Sequence, residues 1–360
     1  MTHVFVAPHP DDVALSCGGL IASLRELGQH ITILTVFSGS GPVDELTTYQ
    51  REALGFGSKA LWPVTEAFNR SSIRNDWPVY GADAAAPPWA ARSDRLEATQ
   101  DDADAAAKRF WQRSSWYRRA SIANESLAGQ AVIDTLPTQG AVYTDEVVDA
   151  AAAGEVMAKR RIEDERFAYF AEAAIVFLDL PDAVFRGYEG DAQLLGEPRE
   201  SDVDAYEILR REIVRLEPQK VYFPLGVGNH VDHQLARRAG IGLLNEPRRW
   251  VMPGPDYAGI VTFYEDFPYA WWSRFLRLDD LPPDALAGIP ADVTLVPEYA
   301  DIGDQLERKI VGISLYESQM SRLFEGPRGM ADAVRAQAKQ VAGLGSVDGF
   351  AERYWASQRA

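Results

Sequence analysis

Two apolar runs flanking a stretch with helical periodicity constrain this chain more than any other feature. His3-Val-Phe-Val-Ala-Pro8 is short and apolar. From Val13 to Leu27, the residues Leu15, Leu20, Ile21, Leu24 and Leu27 recur at helical spacing, and Gly28 follows as a helix-ending glycine. Ile31 to Phe37 (ITILTVF) is continuous and rich in β-branched residues. A strand that is apolar on both faces must be covered on both, so these runs predict a β-α-β unit. The alternation continues with helices near Lys159–Ala174, Val203–Leu216 and His233–Leu244. Strands are expected at Ile175–Leu178, Val221–Phe223 and Gly259–Tyr264. The expected class is therefore α/β, a doubly wound, mainly parallel sheet.

The pattern fails between Ser38 and about Met157, where Ala, Asp, Pro and Trp dominate. We read residues 39–157 as a large insertion after strand two, and 1–38 with 158–360 as one domain. Trp62, Trp77, Trp89, Trp111 and Trp116 make the insertion too aromatic for a linker. It leaves the carboxyl end of a strand, so it is expected to pack near that edge of the sheet, where Trp111 and Trp116 could offer apolar faces to a bound molecule. Two last helices are expected near Ile302–Phe324 and Ala331–Ala342, with Pro327 and Gly329 between them.

Charge narrows the choice of partners. Against 36 Lys and Arg stand 53 Asp and Glu, a formal charge of −17 that repels phosphate backbones and anionic lipid. Neither nucleic acid nor membrane is an expected partner. The sole cysteine, Cys17, sits among small residues and reads as packing, and it allows no intrachain disulfide. Met1 to Pro8 lacks the basic and apolar parts of an export signal, and a cytoplasmic protein is expected. The oligomeric state stays open.

Three of the five histidines lie in polar clusters at strand ends, where open α/β sheets place their ligands. His9-Pro-Asp11-Asp12 follows strand one. Gly228-Asn-His230-Val-Asp232-His233 follows the strand at Val221. Two imidazoles and a carboxylate converging there make a three-ligand set for Zn²⁺ with a position left for water, the pattern of a catalytic site. Bound zinc brings the pKa of its water down to ~7, and a carboxylate beside the ligands, such as Asp11, can accept the proton. His3 and His30 belong to no cluster and read as structural. Gly55-Phe-Gly57-Ser-Lys59-Ala60 lacks the residue order of a phosphate loop, and no nucleotide cofactor is expected.

HPDD after the first strand and a late H-x-D-H resemble the PIG-L/LmbE family of metal-dependent N-deacetylases. More loosely similar are Arg160-Arg-Ile-Glu163-Asp164, Phe177-Leu-Asp179-Leu-Pro-Asp182, Tyr264-Glu-Asp266-Phe-Pro-Tyr269, and Lys309 with Tyr316-Glu-Ser-Gln319. The resemblance implies a Rossmann-like fold, with His9, Asp12 and His233 as metal ligands and Asp11 as general base. It implies His230 as the group that stabilises the oxyanion or protonates the leaving nitrogen, in charged form, and Asp232 as the residue that orients an imidazole. The implied activity is hydrolysis of an N-acyl group, most simply acetyl, on an amino sugar or glycoconjugate by zinc-bound water. The chain departs from the pattern at Val13, where many members carry Glu, and in its long insertion.

Other readings stand beside this one. HPDD alone is also a favourable helix N-terminus. Two His and one carboxylate also form the site of non-haem Fe(II) oxygenases, with Fe²⁺ or another divalent ion in place of zinc. A metal-binding interaction module without catalysis would need neither Asp11 nor His230. Arg160 is spaced for a helical ion pair with Glu163 or for substrate contact. Asp179 and Asp182 suit either a strand-end turn or the binding of sugar hydroxyls.

Overall fold

In a computed structural model, which describes residues 1–41, 46–54, 145–246, 256–272, 281, 283–324 and 326–359, the apolar runs become strands of one seven-stranded sheet. The strands are β1 (Thr2–Ala7), β2 (His30–Thr35), β3 (Ala174–Phe177), β4 (Lys220–Pro224), β5 (Val261–Tyr264), β6 (Val293–Asp301) and β7 (Ala351–Arg359). Their order is β3-β2-β1-β4-β5-β7-β6. The first five are parallel, and β7 runs antiparallel to both β5 and β6. The α/β, mainly parallel expectation holds.

Alternate residues of each strand face opposite layers, which is why the runs are continuously apolar. Val4 and Val6 join Val221, Phe223 and Phe263 on one face, under α3 (Val203–Leu216) and α4 (Val231–Leu244). Numbering the longer helices in chain order, α1 is Asp12–Glu26 and α2 is Asp145–Ala171. On the other face Phe5 and Ala7 meet Leu15, Ile21, Phe167 and Phe170 from these two helices. Ile310 and Ile313 reach the same layer from α5 (Leu306–Ile313). Phe5 stacks on Tyr222 of the neighbouring strand at 4.2 Å between ring centroids.

The sequence reading differs from the structure in its C-terminal part. It contained neither β6 nor β7. The helix expected over Ile302–Phe324 is broken into α5 and α6 (Glu317–Leu323), with Tyr316 in the break reaching Asp164 through its hydroxyl at 2.6 Å. Pro327 and Gly329 do not separate helices but lie in the first turn of α7 (Gly326–Leu344). A proline is tolerated there because its missing N–H would have had no intrahelical partner. The Lys159–Ala174 helix begins earlier, as α2, and the expected boundary at 157/158 falls inside it. Most of the 39–157 insertion, including Trp111 and Trp116, lies outside the described residues. No helix of the described residues is long and apolar enough to cross a membrane.

β1 lies between β2 and β4, so the chain's connections diverge at its carboxyl end and leave a crevice there. His9 follows β1 and His233 follows β4, which places both histidine clusters at this switch point.

Candidate active site

Both loops that enter the crevice are forced into uncommon backbone conformations. Asp11 takes φ 116°, a region that costs a non-glycine residue roughly 1–3 kcal/mol. The turn lets Asp12, the first residue of α1, fold back so that its Oδ2 accepts the His9 backbone N–H at 2.8 Å. After β4, Gly226, Gly228 and Asn229 all have positive φ, and they deliver His230 to the N-cap of α4. There its Nδ1 accepts the Asp232 backbone N–H at 3.2 Å, which leaves Nε2 as the protonated nitrogen.

Asp12 Oδ2 lies 3.3 Å from His9 Nδ1 and 3.4 Å from His233 Nε2. His233 Nδ1 pairs with Asp266 Oδ1 at 2.6 Å, and the other oxygen of Asp266 accepts the N–H groups of Gly226 and Val227. The imidazole is thereby fixed, with Nε2 buried and lacking a hydrogen-bond partner among the described residues. A carboxylate–imidazole pair whose second nitrogen is bare is the usual support of a metal ligand. His9 is held in the same way, its Nε2 at 2.8 Å from Asp232 Oδ2.

Ring nitrogens of His9, His230 and His233 lie within 4.8 Å of one another, and so do donor atoms of His9, Asp182 and Asp232. The second group is already neutralised. Asp232 pairs with Arg186 and accepts the Ala183 N–H, while Asp182 pairs with Arg160 at 3.3 Å and accepts the Val184 N–H. The first group, with Asp12 beside it, is therefore the better cradle for a divalent cation.

Charge in the crevice supports this. Burial alone would lower the pKa of His9, but Asp182, Asp12 and Asp232 outweigh it and raise it to about 10. His233 is also raised, Asp12 and Asp266 prevailing over burial. Asp12 is buried yet held below the usual carboxylate range by the two imidazoles, His233 foremost. The surplus of carboxylates thus draws protons onto both imidazoles, and a metal must displace them. Apparent metal affinity should therefore fall as pH falls, by about tenfold per pH unit for each displaced proton. Competition with a chelator at two pH values reads this directly, and a pH-independent affinity would contradict it.

Asp11 is raised by burial first and by the Asp12 charge second, with Arg160 and His9 pulling the other way. His230 is pushed well below its ordinary value by burial and then by His9. That direction runs against the charged imidazole expected at this position, and the hydrogen bond at Nδ1 leaves Nε2 to donate when the ring is neutral.

Arg160 does not pair with Glu163 along the helix. It reaches Asp182 and the Pro10 carbonyl, the latter at 3.4 Å, while Glu163 accepts from Ser318. Asp182 lies 3.9 Å from His9 Nε2. Asp179 is exposed, paired with Arg161, and makes no contact with the imidazoles. Sequence reasoning missed Arg186, which lies over the rings of Phe37 and Tyr188 and pairs with both Asp202 and Asp232. It fixes Asp232 and hence His9. Arg186→Met should lower metal affinity about 10–100-fold, as loss of such a supporting contact does elsewhere, with Arg186→Lys falling between. Unchanged metal affinity in the Met variant would show that Asp232 holds its place unaided.

Comparison with known proteins follows the same lines. The model of the GlcNAc-PI de-N-acetylase family, PIG-L, matches residues 4–61. Over 37 residues the chain is 57% identical to 2'-N-acetylparomamine deacetylase of Streptomyces fradiae, a match spanning 10% of this chain and 13% of that protein. The zinc-inhibited form of teicoplanin deacetylase Orf2 superposes with a TM-score of 0.56 at 17% identity, covering 100% of this chain and 99% of the other. A40926 pseudoaglycone deacetylase Dbv21 does so with a TM-score of 0.53 at 18% identity, covering 99% and 97%. At these identities the two structures establish a shared fold. Likeness in sequence over residues 4–61 and likeness in fold thus both agree with the resemblance to PIG-L/LmbE deacetylases that the two histidine motifs carry.

Proposed function

We propose that this protein is a zinc-dependent N-deacetylase that hydrolyses the amide of an N-acetylated amino sugar or glycoconjugate. The observation that carries the proposal is the buried meeting of His9, Asp12, His230 and His233 at the switch point, inside and beyond the segment that matches PIG-L. The relative from Streptomyces fradiae is named for the deacetylation of 2'-N-acetylparomamine, which supports the substrate class.

In this reading His9, Asp12 and His233 hold the ion. A divalent cation bound there supplies acidification of water and polarisation of the amide carbonyl. Asp11 accepts the proton of the attacking water. His230, neutral and protonated at Nε2, donates to the developing oxyanion or passes its proton to the leaving nitrogen. Asp232 keeps His9 in one orientation. Asp182 and Arg160 line the crevice as substrate contacts, and Asp179, farther out, meets only the distal part of a large substrate. The chain leaves the sheet near Gly39, which bridges to Pro181, and returns along α2, which carries Arg160. Residues 39–157 are accordingly assigned to shaping the far side of the substrate. A cytoplasmic setting, with the buried Cys17 reduced, belongs to the same proposal.

The test is release of free amine from 2'-N-acetylparomamine and N-acetylglucosamine by the zinc-loaded protein. Loss of release on chelation and return with zinc are expected. Absence of amine release from every N-acetylated sugar tried, or oxygen uptake in the Fe²⁺-loaded protein, would sink the deacetylase reading.

A further inference from the structure

We propose that Ser16 is a positioning residue of the metal site, tying helix α1 to the loop after β5 and so holding Asp12 and His233 at a fixed separation. The inference rests on the reading of His9, Asp12 and His233 as metal ligands and adds to it the group that sets their spacing.

The need for such a tie follows from where the ligands stand. Asp12 opens α1, which follows β1, and His233 lies in α4, which follows β4. These strands are neighbours, but their paired residues end at Phe5 and Tyr222, well short of both ligands. Beyond that point the register of the sheet no longer sets their spacing. Asp12 Oδ2 and His233 Nε2 nevertheless face each other at 3.4 Å. A site that keeps its donors in place before an ion arrives needs another link between the two helices.

Ser16 supplies it. Its side chain stands one helical turn from Asp12, on the same face of α1. Its Oγ accepts the backbone N–H of Phe267 at 3.1 Å. Phe267 directly follows Asp266, whose Oδ1 lies 2.6 Å from His233 Nδ1 and whose Oδ2 accepts the N–H groups of Gly226 and Val227 at 2.8 and 2.9 Å. One turn of helix and two hydrogen bonds therefore connect Asp12 to the side of the His233 ring that faces away from Asp12. Ser16, Asp266, Phe267 and His233 are all buried. A buried N–H beyond the end of a strand must find an acceptor in the protein, and the Ser16 hydroxyl is that acceptor.

Both ends of the tie are anchored. Glu352 of β7 accepts the N–H groups of Gly19 and Leu20 at 2.9 and 2.8 Å and pairs with Lys309 of α5 at 2.7 Å. A Cβ on Gly19 would lie 2.6 Å from Ile302 and 2.9 Å from the Glu352 carboxylate, so glycine there lets the carboxylate reach α1. At the other end the ring of Phe267 belongs to the same core layer as Val13 and Leu15 of α1. Ser16 thus passes a fixed helix position on to Asp266, and through it to the imidazole.

Zinc affinity, measured by competition with a chelator, tests this apart from catalysis. It is compared in the full-length wild type, Ser16→Ala, Ser16→Thr, Asp266→Asn and the Ser16→Ala/Asp266→Asn double variant. Ile213→Val, which trims a buried side chain on the opposite face of the sheet, controls for lost stability. We expect Ser16→Ala to bind zinc about tenfold more weakly, the lower end of what loss of a supporting contact costs. Ser16→Thr keeps the oxygen and should stay within about threefold of the wild type. Ile213→Val should lower Tm and leave zinc affinity unchanged. Because Ser16 acts through Asp266, the double variant should lose less than the product of the two single losses. A fall below about threefold in Ser16→Ala, or single losses that simply multiply, overturns the proposal. The metal-free protein gives an independent reading. Amide hydrogen exchange at Gly226 and Val227 should quicken in Ser16→Ala relative to the amides of β1, and unchanged exchange also overturns the tie. If the wild type binds no divalent cation, the ligand reading fails, while this exchange still decides whether Ser16 holds the Asp266 loop.

Discussion

Replacing His233 by alanine is expected to strip the site of its ion and to take deacetylation with it. Asp12 Oδ2 faces His233 Nε2 at 3.4 Å, and that nitrogen has no other partner among the described residues, so its only evident use is as a donor to a cation. Its loss should exceed the roughly 10–100-fold fall in affinity that accompanies loss of a supporting contact. Activity should fall on the order of 10⁴-fold, as when one member of a cooperative catalytic unit is removed. Asp266→Asn provides the graded comparison, because its single amide oxygen can serve either the imidazole or the Gly226 and Val227 N–H groups, which loosens the support of His233 without removing the ligand. A fall in the lower range is expected for it, with zinc still measurable. The variants are checked for folding by thermal unfolding, and metal content is read after dialysis against a mild chelator. Near-stoichiometric zinc in His233→Ala would remove His233 from the ligand set.

How much of this could be read from sequence depended on where each residue's partners lie. β1, α1 and β2 were legible because both faces of the strands are covered, and burial leaves a continuous apolar trace in the sequence. β7 left no such trace. It buries Glu352, which accepts from Lys309 at 2.7 Å and from the N–H groups of Gly19 and Leu20, and it buries Arg353 against Glu265. Paired charges thus occupy positions where an apolar pattern was sought. β6 lies at the sheet edge, half exposed, and tolerates Pro297 because no further strand of the described residues pairs there.

The same distinction separates the site residues. His9 and Asp12 interact within one turn, and His230 and His233 share another, so local spacing was enough to single them out. Arg186 and Asp266 act on residues far along the chain, Asp232 and His233; Arg186 lies in no motif, and Asp266 stood in a stretch loosely similar to the family but with no role assigned to it. Arg160 shows the opposite error. Its spacing from Glu163 suggested a local pair, yet each found a better partner across the fold, Asp182 for one and Ser318 for the other.

Asp11→Asn should separate proton transfer from metal binding. Asparagine nearly matches the shape of aspartate and tolerates positive φ, so the turn at φ 116° should survive. No hydrogen bond links the Asp11 carboxylate to His9, Asp12 or His233, and zinc should remain bound. Without a proton acceptor, kcat should drop by about 10²–10⁴-fold. Stability should hold or rise. A carboxylate whose folded pKa is raised weakens the fold as pH climbs above its unfolded value of about 3.9, and asparagine removes that penalty. The pH profile supplies a signature that a purely structural role would not give. Burial and Asp12 raise the Asp11 pKa, so wild-type kcat/KM should climb with pH as Asp11 ionises, at a pH above the ordinary carboxylate range. That limb should vanish from the residual activity of the variant. Turnover close to wild type with zinc in place would move the base to another residue, and zinc lost along with activity would make Asp11 part of the metal's own support.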